Sequence, residues 1–397
     1  MRAIDRQAVH PSAPTRRDAL RAWAAGLGGL ALLGLGARRN QARADEVPPE
    51  YRPCIEKGLE WLAKSQSKDG HWEAFGGQYP LTMTGLSGMA MLMAGSTLRE
   101  GKYKDHIRRA VDWLMARSMP NGMIGNPNIP GEAGRYMYGH GYALLFLSSV
   151  YGEEDEGERR RKLEEILTKA ARFTHDAQTQ RESTRYKDPK TGKPLKLGGW
   201  GYVSAKEGNN FDEGSVTITQ VQALRAARDA GIEVPPEAIQ EAVNYLQEST
   251  NEQGGVIYSL AGGGGGEGRP ALTSAAISCG FSAGDYNSPL VKKWLQFART
   301  SVQPVGDARF GQHDEYTQYY FAQAIYKLGE DGWAKLFGTD KDALKWSTYR
   351  AATFPKLKAQ QTQDGSWTGG QVGPAFITPI HLAILQLDNA VLPIYQR

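Results

Sequence analysis

A spacing that recurs along the chain limits what this sequence can fold into more than any other feature. Lys57–Trp72 reads KGLEWLAKSQSKDGHW and sets Trp61-Leu62, Gln66, Asp69-Gly70 and Trp72 in one frame. The frame returns at Lys356-Leu357, Gln361, Asp364-Gly365 and Trp367. Looser copies stand at Trp113-Leu114, Ser118, Asn121-Gly122 and Ile124, and at Tyr245-Leu246, Thr250, Gln253-Gly254 and Val256. Two stretched copies run from Arg172-Phe173 through a long insertion to Gly199-Trp200, and from Trp294-Leu295 to Gly306–Phe310. Six copies between about 50 and 390 mean a repeat architecture, in which each unit buries its apolar face only against its neighbours.

Each copy joins two kinds of apolar run. The first runs, such as Ile55–Ser65, Ile107–Arg117 and Ile239–Ser249, place apolar residues at i, i+3 and i+4 with charges between them, the pattern of a half-exposed helix. The second runs are Thr82–Ala94, Tyr138–Tyr151, Val216–Ala230, Leu272–Gly284, Tyr316–Leu328 and Thr378–Leu387. They are apolar nearly all round, as enclosed helices are. No segment shows the period-two alternation of a strand. The expectation is an all-α chain of six helix pairs, one helix exposed and one buried. The Asp-Gly and Asn-Gly steps end the first helices, because glycine adopts the left-handed conformation without a Cβ penalty. Gln and Trp on either side are placed to lock the turn to a neighbouring helix, with the indole stacked on the amide. The polar insertion Thr174–Gly199 and the glycine run Ala261–Gly268 read as mobile loops.

The first 44 residues follow another plan. Arg16-Arg17 precede the uncharged stretch Ala22–Ala37, closed by Arg38-Arg39 and then by Ala42-Arg43-Ala44, a small-x-small cleavage site. This is the layout of a bacterial twin-arginine export signal, which predicts a periplasmic or secreted protein. The stretch is short of the roughly 20 residues that span a bilayer, and a retained N-terminal anchor is the alternative. No later segment is apolar enough to span; a peripheral membrane contact stays open. Residues 1–44 hold eight of the 47 Lys+Arg and two of the 43 Asp+Glu, so the remainder carries 39 and 41, a net of −2. That balance removes the case for a nucleic-acid partner. Two cysteines, Cys54 and Cys279, are too few for a disulfide framework, although one bond between them is compatible with an oxidising compartment.

Lys57-Gly58-x-x-Trp61-Leu62-x-x-x-Gln66-x-x-x-Gly70-x-Trp72 resembles the QW motif of the superfamily of squalene–hopene cyclases, oxidosqualene cyclases and protein prenyltransferase β-subunits, and Gln361-x-x-x-Gly365-x-Trp367 is a second good match. The resemblance implies an α/α toroid of about six repeats over residues 45–397, with inner and outer helices around a central apolar cavity. It does not carry over the chemistry. The cyclases' Asp-x-Asp-Asp acid motif is absent from this chain, and so is the prenyltransferases' zinc-binding Asp-x-Cys. His313-Asp314-Glu315-Tyr316 stands where the latter would fall, and His381 lies about one turn beyond the family's histidine.

In that family the starts of the inner helices face the mouth of the cavity. The expected rim residues are Thr82, Thr84, Tyr138, His140, Asp212, Glu213, Ser215, Thr217, His313, Asp314, Glu315, Tyr316, Thr378 and His381. Such residues cap helices, act as acid–base or polar contacts, or hold a metal; capping is their ordinary role, and no metal and no cofactor is assigned. For a reaction, Asp314 or Asp212 is the expected acid, oriented by His313 or His140. The expected cavity wall is Tyr138, Tyr142, Glu315, Tyr316, Tyr319, Tyr320, Phe376 and His381. The leading expectation is an exported toroid that binds an apolar, isoprenoid or lipid-like small molecule in its central cavity, with catalysis left open. The alternative is a non-catalytic binding or scaffold module that uses the rim.

Overall fold

Helix starts and stops follow local chemistry. The computed structural model describes residues 46–128, 132–155, 157–262, 266–282, 284–302, 314–370 and 372–396. Residues 1–44, expected to be an export signal, together with His313 and the glycines 263–265, lie outside those residues. In chain order the helices are α1 (Arg52–Ser65), α2 (Pro80–Met93), α3 (Lys104–Met115), α4 (Tyr136–Tyr151), α5 (Gly157–Asp176), α6 (Gly214–Asp229), α7 (Pro236–Glu248), α8 (Pro270–Ser282), α9 (Pro289–Ser301), α10 (Asp314–Leu328), α11 (Gly332–Phe337), α12 (Trp346–Gln360) and α13 (Pro374–Leu385). Five of them begin on proline, which costs nothing at a position whose N–H has no intrahelical partner.

Two classes of helix alternate. In α2 all fourteen residues are buried, whereas α1 buries five of its fourteen. The buried helices α2, α4, α6, α8, α10 and α13 pack on one another in that order, and α13 packs back on α2. Each also packs against its amphipathic partner in the outer layer, α1, α3, α5, α7, α9 or α12. The ring is therefore closed, and the fold is an α/α toroid of six helix pairs.

The repeated Gln and Trp hold this ring by hydrogen bonds. Gln66 Nε2 donates to the carbonyls of Gly70 (2.8 Å) and of His106 on the next outer helix (2.9 Å), and Trp72 Nε1 donates back to Leu62 O at 2.7 Å. The last repeat makes the same bonds with the first: Gln361 Nε2 to Cys54 O and Gly365 O, both 2.8 Å, and Trp367 Nε1 to Leu357 O, 2.7 Å. Gly70 (φ 108°) and Gly365 (φ 95°) have no alternative residue, since a Cβ would lie 2.5 Å from Arg109 O and 2.4 Å from Lys57 O. Both groups of the expected lock thus bond to backbone carbonyls. A third lock is split by the long insertion, with Gln178 Nε2 donating to Gly198 O and Ala238 O, and Trp200 Nε1 donating to Thr174 O.

That insertion is not a loop. Arg181–Lys187 (β1) and Pro194–Leu197 (β2) form an antiparallel hairpin. Its turn is held by Asp188, which accepts from Lys190 and Thr191 N–H at 2.8 Å, and its first strand by Glu248 of α7, which accepts from the Ser183 and Thr184 hydroxyls. Polar anchoring replaces the apolar alternation that would have marked a strand. Cys54 and Cys279 are both buried and free.

Candidate functional site at the mouth of the ring

The starts of α4, α6 and α10 converge on the ring axis. Tyr138 donates to Glu213 at 3.2 Å and is hydrogen-bonded to Ser215, while Tyr316 donates to the Ser215 carbonyl at 3.1 Å. Tyr138 and Tyr316 are half-buried and form the upper layer. One helical turn deeper, at i+4 on the same three helices, lie Tyr142, Thr219 and Tyr320. The Tyr142 and Tyr320 hydroxyls are 3.3 Å apart, and Tyr319 meets Tyr395 at 2.8 Å. Tyr395 belongs to the short C-terminal turn Pro393–Tyr395, which packs on α6. Tyr142, Tyr319 and Tyr395 are 2% exposed and Tyr320 and Phe146 0%, so these side chains close the axis below the upper layer. The deep cavity implied by the resemblance is reduced at this point to a mouth over a tyrosine floor.

The two acid pairs at the rim divide their labour. Asp212 is fully buried and serves the scaffold. Its carboxylate accepts from the Tyr245 hydroxyl (2.8 Å) and from the Leu260 and Ala261 N–H groups (2.7 and 3.0 Å), with Arg181 Nε at ion-pair distance, 3.3 Å. Its neighbour Glu213 is the one that faces Tyr138. Glu213 caps α6 by accepting from Val216 N–H at 2.9 Å and from the Ser215 hydroxyl, and burial raises its pKa. In the second pair, Asp314 turns towards Gln318 (3.5 Å), whose carbonyl accepts from Tyr349 of α12. Burial also raises the Asp314 pKa, and the nearby Glu315 adds to the rise. Glu315 lies towards Gly370, where a Cβ would be 3.0 Å from its carboxylate. Asp314, Glu315 and Tyr316 therefore fan out in three directions, and only Tyr316 meets the Tyr138–Ser215 group.

The histidines stand apart from this group. His140 Nδ1 accepts from Ile124 N–H (3.0 Å) and its Nε2 donates to Thr174 (2.9 Å). Thr84, Thr217, Thr273 and Thr378 accept the corresponding N–H of residues 72, 200, 256 and 367 in other repeats. His140 thus occupies a turn-lock position, and burial lowers its pKa to about 3. His381 packs edge-on to Trp367 at 5.5 Å; its Nδ1 has no partner among the described residues, and burial lowers its pKa to about 3 as well. Phe376, half-buried, is in the first turn of α13. Among the described residues no cluster of three or more His, Cys, Asp or Glu is arranged to hold a metal, and no helix is long and apolar enough to cross a membrane.

Two loop tyrosines missed by sequence reasoning complete the mouth. Tyr202 packs against Tyr138 with ring centroids 5.9 Å apart, and its hydroxyl is hydrogen-bonded to that of Tyr258. Each stands two residues after the apolar residue that closes its lock, Trp200 or Val256, and that shared offset is the signal that could have found them.

With this geometry the chain is similar in fold to solved structures of low sequence identity. It matches the type II terpene cyclase MstE from Scytonema with a TM-score of 0.51 and 16% identity, over 86% of this chain and 98% of that one. The likeness shows the α/α-toroid fold that this cyclase has. The inactive variant of the α-1,6-mannanase GH76A of Salegentibacter sp. HEL1_6 matches with a TM-score of 0.56 and 9% identity, over 85% of this chain and 99% of that one. A protein from Actinoplanes matches with a TM-score of 0.51 and 14% identity, over 85% and 98%. No protein-family model matches the sequence, and no curated protein does. One toroid thus houses a cyclase and a mannanase, so fold alone does not select a chemistry.

Proposed function

We propose that this protein is an exported binding module that takes an apolar, isoprenoid or other lipid-like molecule at the tyrosine-lined mouth of its ring. The observation that carries the reading is the contrast between half-buried Tyr138, Tyr202, Tyr258 and Tyr316 above and fully buried Tyr142, Tyr319 and Tyr320 below. Tyrosines left half-exposed around the helix starts offer ring faces to an apolar ligand and hydroxyls to a polar one. Structures of MstE in complex with geranylgeranyl dihydroxybenzoate and with merosterolic acid A give the same fold an isoprenoid-type occupant. The reading assigns binding and no reaction; Asp314 and Glu213, both with raised pKa, are the acids available for one.

The test is a fluorescence titration of the mature protein with a panel of terpenoids and single-chain lipids. Saturable binding, weakened about tenfold in Tyr316→Ala with an unchanged circular-dichroism spectrum, supports the reading. A mouth that takes no member of the panel leaves the scaffold module in its place. Export rests on the leader sequence alone, and Arg16→Lys with Arg17→Lys is expected to hold the protein in the cytoplasmic fraction.

A further inference from the structure

The mouth carries two arginines whose charge the fold does not use. Arg135 precedes α4, and its guanidinium lies 4.8 Å from the centroid of the Tyr202 ring. Arg269 precedes α8, and its guanidinium lies 4.5 Å from the centroid of the Tyr258 ring. The hydroxyls of these two tyrosines are hydrogen-bonded to each other, so the four side chains form one continuous group, Arg135–Tyr202–Tyr258–Arg269. It spans the start of α6 from one neighbouring inner helix to the other. The loops beneath are pinned, because Tyr202 O accepts from Met137 N–H and Tyr258 O from Gly214 N–H, both at 3.1 Å.

Both arginines are exposed, and among the described residues neither has a carboxylate at ion-pair distance. That is costly placement. A cation beside a helix N-terminus faces the positive end of the peptide dipoles, where Asp or Ser would be stabilising. Stacking on a tyrosine face recovers part of the cost and fixes each guanidinium in one place. The acids nearby do not neutralise them. Glu207 accepts from Tyr136, Glu213 is spent on its helix cap, and Glu132 is buried beside Arg135 with a pKa raised by burial. In the Tyr202–Tyr258 pair one phenolic proton lies between the oxygens, which leaves the other O–H free to donate outward.

We propose that Arg135 and Arg269, with the free tyrosine hydroxyl, form a head-group site for an oxyanion, so that the ligand of this mouth is an amphipathic acid. Its apolar tail lies against Tyr138 and Tyr316, and its carboxylate or phosphate receives charge-assisted hydrogen bonds from the two guanidiniums. The inference deepens the binding reading above and rests on it.

The experiment compares ligands that share a tail and differ in the head. The mature protein is titrated with dodecanol, dodecyl phosphate and inorganic phosphate, each at low and high salt. Dodecyl phosphate is expected to bind at least about tenfold more tightly than dodecanol at low salt, with the preference shrinking at high salt. Inorganic phosphate is expected to compete with the ester and not with the alcohol. In Arg135→Gln with Arg269→Gln the two ligands should bind equally, at the affinity of dodecanol for the wild type. Equal binding of ester and alcohol to the wild type overturns the head-group site and leaves the apolar mouth intact. A preference that survives in the double variant also overturns it. Binding of neither ligand overturns the apolar mouth itself, and phosphate binding alone reduces the site to a free-anion pocket without a tail.

Discussion

The turn locks and the mouth are built at opposite ends of the same short segments, and they treat sequence differently. At the locks one job is done with one set of groups. Gln66 and Gln361 bond the third residue of the following outer helix, and Trp72 and Trp367 bond the preceding outer helix with the same 2.7 Å contact. At the mouth only some repeats contribute, and not all with the same group. α4 and α10 contribute tyrosines, Tyr138 and Tyr316, where α6 contributes Ser215 under the Glu213 cap. The locks recur around the ring, whereas the mouth groups come from a few of its repeats.

The comparison breaks first where a lock is removed. Trp367→Ala empties a fully buried indole site and deletes a hydrogen bond at the junction of last repeat with first, an expected loss of about 3–5 kcal/mol. Chemical denaturation measures it, and a loss below about 1 kcal/mol would mean that the ring does not depend on its closing lock. Asp212→Ala comes next. It strands two backbone N–H groups, the Tyr245 hydroxyl and Arg181 in a buried site, an expected cost of about 2–3 kcal/mol. Glu213→Gln keeps an acceptor for Val216 N–H and is expected to cost under about 1 kcal/mol while altering ligand binding at the mouth. Equal stability losses in the two variants would erase the distinction between scaffold acid and mouth acid.

Acid separates the histidine lock at His140, and the buried His381 beside Trp367, from the threonine locks. His140 and His381 titrate near 6.5 when unfolded and about 3 when folded, so between those values the unfolded chain binds more protons. The stability they contribute is complete above pH 6.5 and falls as pH drops towards 3, by about 1.4 kcal/mol per pH unit per histidine. His140→Thr restores the residue used at four other locks and is expected to recover about 1 kcal/mol at pH 5.5 relative to pH 7. Urea midpoints at the two pH values check this, and an identical acid sensitivity in the variant would place His140 in a solvated setting. The smallest effect expected is that of Tyr202→Phe, which removes one hydroxyl from a half-buried pair and costs about 0.5 kcal/mol or less.

The ring is legible in the sequence because its constraints are local and repeated. A left-handed glycine, an indole six residues after a glutamine and a helix period of 3.6 all survive reading one residue at a time. Gln178 escapes because the hairpin lies between it and Trp200, and the hairpin escapes because Glu248 and Asp188 hold it by polar bonds instead of an apolar face. The mouth is harder to read for a different reason. Asp212 and Glu213 are adjacent acids of one chemical class, and the half-turn that sends one into the scaffold and the other to Tyr138 leaves no mark in spacing. His140 resembles a catalytic residue until its position is aligned with Thr84, Thr217, Thr273 and Thr378. Tyr138 and Tyr316 are legible as aromatic helix starts, whereas the closing of the axis below them depends on Tyr395, contributed from the far end of the chain.

What the mouth carries when the protein is made in its own cells decides between a binding mouth and a scaffold. Native mass spectrometry of the wild-type protein purified from its own cells is expected to show an added apolar mass that solvent extraction removes. Tyr138→Ala with Tyr316→Ala, folded by circular dichroism, is expected to lose it. A wild-type protein that emerges with no added mass and gains none from the terpenoid and lipid panel would contradict the binding mouth and leave the toroid as a scaffold.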